Sequence, residues 1–183
     1  MLGTLQKAAF KAALQSKAKF KFVINGLPIQ QFYALPYDRW EGYGAERNEI
    51  LNFIRDNRIG GVIFLTTDTH ANLINEVFID RFHDSQRIAN EFVTGPIAAT
   101  TFQKDLLRTL GPVALFQFNT ILTIVGVDCR QLDAYSYGVV DVDASSGTAT
   151  ITLKDDKGNL LHDQLNPSRT CVKTIGSQNF AFR

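Results

Sequence analysis

Val62-Ile63-Phe64-Leu65-Thr66-Thr67-Asp68-Thr69-His70 is the stretch that decides how this chain is expected to fold. Its first four residues form a short apolar run, which suits a strand buried on both faces in a parallel sheet covered by helices. The polar residues that follow stand where such a strand ends. Because functional residues collect at the carboxyl ends of parallel strands, this run predicts an α/β fold with Asp68 and His70 at a candidate site.

The residues before this strand carry helical and strand patterns in alternation. Apolar residues recur at helical spacing over 5–14 and again over 45–56. Between them, residues 20–24 are typical of a buried strand, ended by the turn signal Asn25-Gly26. The first 70 residues therefore predict helix, strand, loop, helix and strand, in an α/β unit.

The second half of the chain has a different character. Residues 87–94 indicate a strand, and residues 101–110 a helix that Thr100 or Thr101 caps and Gly111-Pro112 stops. Alternating residues over 136–142 and 148–153 flank a turn that contains glycine, which predicts a β-hairpin. The tail from there to residue 183 has no clear pattern.

Composition restricts the class of protein. The 183 residues, of which 45% are hydrophobic and 20% charged, predict one globular domain over 1–183. A formal net charge of +1 argues against a dedicated nucleic-acid binder. No apolar stretch approaches the roughly 18 residues that would span a bilayer. The cysteines, Cys129 and Cys171, favour two free buried thiols, with one disulfide as the alternative. The compartment stays open.

Four residues are candidates for chemistry. The Asp68 oxygens and the His70 imidazole suit zinc, iron or manganese better than a structural calcium ion. The alternative is that Asp68 caps the next segment and His70 is an ordinary polar residue. Asn25, at the end of another strand, is either a turn residue or part of the same site. Glu91, in an apolar strand, needs a partner and predicts an ion pair with Arg47 or a lysine.

Several motifs, taken in order, resemble one family. They are Leu2-Gly3-Thr4-Leu5-Gln6, Leu35-Pro36-Tyr37-Asp38-Arg39-Trp40-Glu41-Gly42-Tyr43 with Glu46-Arg47, Leu65-Thr66-Thr67-Asp68-Thr69-His70, and Asn90-Glu91-Phe92-Val93-Thr94. This order is similar to that of the alkaline phosphatase D family of metallophosphatases, in the calcineurin-like superfamily. The resemblance covers residues 1–95 well. It covers 96–183, the helix and C-terminal strands, more loosely through Tyr137–Val142.

The resemblance implies a fold, a reaction and a set of site residues. The fold would be the C-terminal half of an α/β/β/α sandwich, with a mixed sheet, flanking helices and a C-terminal hairpin. The reaction would be phosphoester hydrolysis by metal-activated water. Asp68 and His70 would be catalytic and metal-binding, and Asn25 would be a third ligand. The metal would be iron, zinc, manganese or calcium. Thr67 stands where the family has glycine, which affects how closely the backbone can approach a metal.

The resemblance also implies that part of the site lies elsewhere. The motifs of the family's first half do not occur in this chain, so it is expected to carry a partial site. An exposed sheet face is then expected to bind a second copy or a complementary N-terminal half, or to repack. Two further functions stay open: a catalytically inert interaction domain that oligomerises through this face, and a ligand-binding α/β domain of unknown specificity.

Overall fold

The computed structural model describes residues 1–34 and 39–176. In chain order, the elements are α1 (Thr4–Leu14), β1 (Lys21–Asn25), a 3-10 turn (Trp40–Tyr43), α2 (Gly44–Asp56), β2 (Val62–Thr66), β3 (Asn72–Val77), β4 (Ala89–Val93), α3 (Phe102–Thr109), α4 (Gly111–Val125), β5 (Cys129–Gln131), β6 (Ser136–Asp143), β7 (Thr148–Asp155) and β8 (Val172–Gly176).

The first five strands form one mixed sheet in the order β1-β2-β4-β3-β5. Strands β1, β2 and β4 are parallel, whereas β3 is antiparallel to both β4 and β5. The apolar run of β2 is buried on both faces as predicted, because β1 and β4 flank it and packed layers cover both of its faces. The mixed sheet with helices that the sequence predicted is confirmed.

All four helices lie against the same face of this sheet, called the helical face below. Helices α1 and α2 pack on it through a cluster that includes Leu14, Ile50, Leu51 and Phe64. Helices α3 and α4 cover the region of β3 and β4, where Leu73 and Val93 contact apolar residues of both helices. These contacts follow the predicted helical stripes, with the apolar side chains turned toward the sheet.

The opposite face, called the inner face below, is covered by a second sheet in the order β6-β7-β8. The predicted hairpin is confirmed as β6 and β7, and alternate residues of β7 pack on the inner face. The sequence had led us to expect a bare sheet face, but this chain builds its own second layer. The three layers are helices, sheet and sheet, and the described residues place no helix over the second sheet.

Two elements of the second half differ from the prediction. Helix α3 ends at Thr109, just before Gly111-Pro112 as predicted, but a helix that was not predicted, α4, starts at once from Gly111, which has a φ of +80°. Proline is well tolerated in the first turn of a helix, where its missing N–H has no partner to lose. Strand β3 was not predicted, since its apolar residues are interrupted by Asn72, Asn75 and Glu76. Thr101 does cap α3, and its hydroxyl accepts a hydrogen bond from Lys104 N.

Strand β1 is not the buried strand that the sequence predicted. It is an edge strand in which half-buried and exposed residues alternate, and the side chains of Phe22 and Ile24 are 36% and 82% exposed. The weakly alternating apolar residues over 20–24 had suggested a buried strand, but among the described strands β2 alone pairs with β1.

The two cysteines form a disulfide, contrary to the expectation of free thiols. Cys129 begins β5 and Cys171 immediately precedes β8, so the bond joins the two sheets. Both cysteines are buried in the core between the sheets, as two free thiols would also be. Composition alone therefore does not show whether they are bonded. No helix in the described residues has the length and apolar character needed to cross a membrane.

Candidate functional site

The carboxyl ends of β1, β2 and β4 lie side by side and carry the polar residues singled out in the sequence. Asn25 is the register partner of Thr66. The turn after β4 is tied to the same edge, because Thr94 N donates to Thr66 O at 2.8 Å. Asp68 and His70 follow in the loop directly after β2. The fold therefore brings the ends of all three strands to one edge of the sheet, as the sequence predicted.

The backbone of the 67–70 loop is unusual at both candidate ligands. Asp68 has a φ of 72° and His70 a φ of 54°, in the left-handed region that few residues other than glycine adopt. The loop is held by two backbone hydrogen bonds, Thr69 N to Thr67 O at 2.9 Å and Phe102 N to His70 O at 2.8 Å. Left-handed residues of this kind concentrate at functional sites, where the surrounding structure maintains the strain.

Both of these side chains are available to a ligand. Asp68 is exposed and His70 is half-buried. Among residues 1–34 and 39–176, neither side chain has a hydrogen-bond or ion-pair partner. The alternative hypothesis, that Asp68 caps the next helix, is therefore wrong, since Thr101 caps α3.

Asn25 is near the same edge, but its side chain is already engaged. Its Nδ2 donates to Leu27 O at 2.5 Å, and its Oδ1 accepts from Trp40 Nε1 at 3.1 Å. Both polar atoms of the side chain therefore bind the protein. As a metal ligand, Asn25 would have to use the second lone pair of the Oδ1 that already accepts from Trp40.

Glu91 lies beneath this edge on the helical face and is fully buried. Its Oε1 accepts from Ile29 N at 2.8 Å and from Thr66 Oγ1 at 2.9 Å, while its Oε2 accepts from Gln30 N at 3.1 Å. Asn75 Nδ2 is a fourth donor at 3.4 Å. Burial raises the pKa of Glu91, and these four donors oppose that rise. Glu91 thus joins the loop after β1 to the end of β2.

The expected ion pair between Glu91 and Arg47 is not formed. Arg47 is fully buried but donates to the backbone carbonyls of Ile29, Phe78 and Ile79 at 2.5, 2.7 and 2.8 Å. Burial lowers the pKa of Arg47 to about 10. The sequence indicated that the buried carboxylate of Glu91 needs partners. It did not reveal that these partners are backbone N–H groups of a loop 61 and 62 residues away.

A second carboxylate orders the same loop. Glu41 accepts from Phe32 N at 3.2 Å and from Tyr33 N at 2.6 Å. Arg39 lies 3.5 Å from the Glu41 carboxylate. These contacts account for part of the aromatic motif of the sequence. Residues 35–38 of that motif lie outside the described residues, as does the tail 177–183.

The donors that this edge offers to a metal ion are of the right chemical type but too few. A carboxylate and an imidazole suit zinc, iron or manganese, yet a protein site for these metals commonly draws on three or four side chains. Within the described ranges, no three His, Cys, Asp or Glu side chains come together in a way that could hold a metal ion. Asp68 and His70 alone do not make a complete metal site.

Comparison with known proteins identifies the family of this chain. The family model described as PhoD-like phosphatase matches residues 1–153. Alkaline phosphatase D of Bacillus subtilis (strain 168) is 35% identical over 77 residues, which are 42% of this chain and 12% of that protein. A solved structure titled "Structure of PhoD" matches with a TM-score of 0.60 and 18% identity, over 94% of this chain and 32% of the other, and shows the fold alone. The chain therefore spans about a third or less of the length of these relatives. Since the family model covers more than half of the residues, this chain belongs to the PhoD-like phosphatase family.

Proposed function

We propose that this chain carries part of the active site of a metal-dependent phosphoester hydrolase, with Asp68 and His70 as two of its metal ligands. One observation carries the proposal. Neither side chain has a hydrogen-bond or ion-pair partner among the described residues, and both lie on a left-handed loop at the carboxyl end of β2, in a chain of the PhoD-like phosphatase family. Non-glycine residues held in the left-handed region cluster at ligand sites, which supports the assignment.

The metal and the remaining donors follow from the chemistry of these two groups. The family is metal-dependent in general. A bound ion would supply an activated water and neutralise phosphoryl oxygens, and a phosphate ester is the proposed substrate. Zinc, iron or manganese fits a carboxylate and an imidazole better than calcium does. Asn25 is the third candidate ligand and ranks below the other two, because its oxygen already accepts one hydrogen bond from Trp40.

The partial nature of the site is part of the proposal. Two donors from this chain leave further positions to be filled by groups outside the described residues. Glu91 is proposed as a positioning residue, since it fixes Thr66 at the point where the 67–70 loop begins. Glu91 is not proposed as a metal ligand, because its two carboxylate oxygens already accept four hydrogen bonds.

The test is a metal titration of the purified 183-residue chain by calorimetry, with Zn²⁺ and Mn²⁺ as probes. We expect Asp68→Asn and His70→Ala to weaken binding by about tenfold or more, because each removes a direct ligand from a site that has few. His83→Ala is the matched control, since His83 is an exposed histidine paired with Asp80 in another loop. Equal binding by all four proteins would refute the assignment.

Hydrolysis of a chromogenic phosphodiester separates the proposed function from its alternative. The alternative is a catalytically inert interaction domain, which the incomplete donor set favours. Metal-dependent turnover that is lost in His70→Ala supports the enzyme. A native chain that binds metal but turns over substrate no faster than His70→Ala supports a half-site without activity. A chain that shows neither metal binding nor turnover supports the inert domain.

A further inference from the structure

The loop 67–70 is held at both of its ends by the turn that follows β4. At its start, Thr94 N donates to Thr66 O at 2.8 Å, which continues the backbone pairing of β2 and β4. At its end, Gly95 N donates to the side chain of Asn72, whose Oδ1 accepts at 2.9 Å. Asn72 is the first residue of β3. One end of the loop is therefore held by backbone pairing and the other by a side chain.

The side chain of Asn72 uses all of its hydrogen-bonding positions. Its Oδ1 also accepts from Ser136 Oγ at 2.5 Å, and its Nδ2 donates to Gln131 O at 3.3 Å and to Ala134 O at 3.4 Å. An amide side chain can accept two hydrogen bonds and donate two, so none is left over. The residue is also fully buried. Because the Gly95 N–H can only donate and the two carbonyls can only accept, the orientation of the amide is fixed.

These partners belong to three segments that are separate in the chain. They are the turn after β4, the end of β5 with the residues that follow it, and the first residue of β6. Ser136 also binds that turn directly, since its backbone N donates to Pro96 O at 3.0 Å. The second sheet is therefore joined to the first at the edge that carries the candidate site, and Asn72 lies at the junction.

The packing around Asn72 leaves its amide no room to move. A Cβ on Gly95 would lie 2.7 Å from Asn72 Nδ2 and 3.1 Å from its Cγ. Glycine is used where the backbone must approach another group this closely. Since the amide is held by four hydrogen bonds, it cannot swing away without breaking them. The start of β3 and the turn after β4 are thus fixed relative to each other.

A second buried asparagine on the inner face shows that burial alone does not demand these bonds. Asn90 of β4 is the register partner of Ile63 and is as buried as Asn72. Within the described ranges, neither polar atom of the Asn90 side chain has a hydrogen-bond partner. Asn90 lies near the start of β4, at the end of the sheet away from the loop 67–70. The fully bonded asparagine is therefore the one beside the candidate site.

We infer that Asn72 is a positioning residue of the candidate site, which holds the loop 67–70 in the conformation that presents its two candidate ligands. Asn72 follows His70 by two residues and fixes this end of the loop from the inner face, as Glu91 fixes Thr66 from the helical face. Left-handed residues such as those of this loop persist only where the surrounding structure holds them. The inference rests on the proposed function for its effect on a metal, but the conformation of the loop can be tested without one.

Hydrogen exchange followed by NMR is the test that needs no metal. Phe102 N, which donates to His70 O at 2.8 Å, reports on the loop, and Ile88 N, which donates to the last residue of β3 at 2.8 Å, reports on the far end of the sheet. We expect Asn72→Ala to accelerate exchange at Phe102 N by about tenfold or more beyond any change at Ile88 N. Asn90→Ala is the matched control, because it removes the same atoms from the same face, and it should not raise this ratio.

Two further variants keep the test decisive if Asn72→Ala does not fold. Gly95→Ala keeps every partner of Asn72 but pushes its amide out of place, so it should raise the exchange ratio in the same direction. Ser136→Ala removes one of the four hydrogen bonds with little change in volume, and should raise the ratio by about threefold.

Calorimetry with Zn²⁺ measures the consequence for the proposed site. We expect Asn72→Ala to weaken Zn²⁺ binding by about tenfold, which is the usual effect of losing a group that orients metal ligands. Asn90→Ala should bind Zn²⁺ as the native chain does. A loss of stability alone would not separate these two variants in this way, because both leave a cavity of the same size.

Three results would overturn the inference. One is equal acceleration at Phe102 N and Ile88 N in Asn72→Ala, which would show that Asn72 stabilises only the fold as a whole. Another is an unchanged exchange ratio in Gly95→Ala. The third is native Zn²⁺ affinity in Asn72→Ala while His70→Ala has lost binding, which would leave the proposed function standing. If the native chain binds no Zn²⁺, the proposed function fails, and the exchange ratio still decides whether Asn72 holds the loop.

Discussion

Replacement of Glu91 by alanine should unfold the region beneath the candidate site at a much lower denaturant concentration. The substitution removes the acceptor of two buried backbone N–H groups, those of Ile29 and Gln30, and of the Thr66 hydroxyl. A buried donor left without its partner costs about 1–3 kcal/mol. Removing the carboxylate also relieves the cost of burying a charge, which offsets part of this loss. We therefore expect the free energy of unfolding to fall by about 3 kcal/mol.

The assay is urea-induced unfolding followed by circular dichroism, with two further variants. Glu91→Gln keeps one oxygen acceptor and turns an amide N–H toward the other donors, so its stability should lie between those of the native chain and Glu91→Ala. Asp141→Ala removes an exposed carboxylate on β6 and should change stability by less than about 0.5 kcal/mol. A Glu91→Ala variant within about 0.5 kcal/mol of the native chain would show that the carboxylate does not hold this loop.

Three further outcomes follow from buried groups. Folding raises the pKa of Glu91, so the folded chain binds the carboxyl proton more tightly than the unfolded chain does. The contribution of Glu91 to stability should therefore fall as the pH rises from the pKa of an exposed glutamate toward the raised pKa. Across this range, the native chain should lose stability relative to Glu91→Gln, in which the other titrating groups are the same. Cys171→Ser, which opens a disulfide across 42 residues, should cost about 4 kcal/mol, and a reducing agent should lower the midpoint of the native chain but not of the variant. Neither polar atom of the buried Asn90 side chain has a partner within the described residues. Asn90→Val should therefore raise the free energy of unfolding by about 1 kcal/mol. A decrease of that size would contradict this reasoning.

The sequence predicted the elements whose signal is local. The apolar run of β2, the stripes of α1 and α2 and the alternation of β6 and β7 each depend on residues within about 15 positions, and all are confirmed. The position of Asp68 and His70 after β2 is of the same kind, because it requires only that the strand ends where its apolar residues do. Their metal-binding role stays a prediction.

The features that the sequence did not reveal depend on contacts between distant residues. The partners of Glu91 come from the loop after β1, and the bond between Cys129 and Cys171 joins segments of different sheets. Strand β1 was expected to be buried because its composition is apolar, and only the strand order shows that it lies at an edge. Strand β3 escaped detection because its asparagines serve hydrogen bonds on both faces of the sheet, which obscures the alternation of a strand.

The hydrogen bond between Trp40 and Asn25 gives this protein an intrinsic optical reporter. Trp40 is the single tryptophan of the chain, it is 5% exposed, and its indole N–H donates to the side chain at the end of β1. Indole emission responds to the polarity and hydrogen bonding around the ring, so the tryptophan fluorescence of the unlabelled protein originates beside Asn25, one of the candidate ligands. If a metal ion draws Asn25 away from Trp40, the emission will change at the concentration at which the ion binds. If Asp68 and His70 bind the ion without Asn25, the emission will stay constant while calorimetry records the heat.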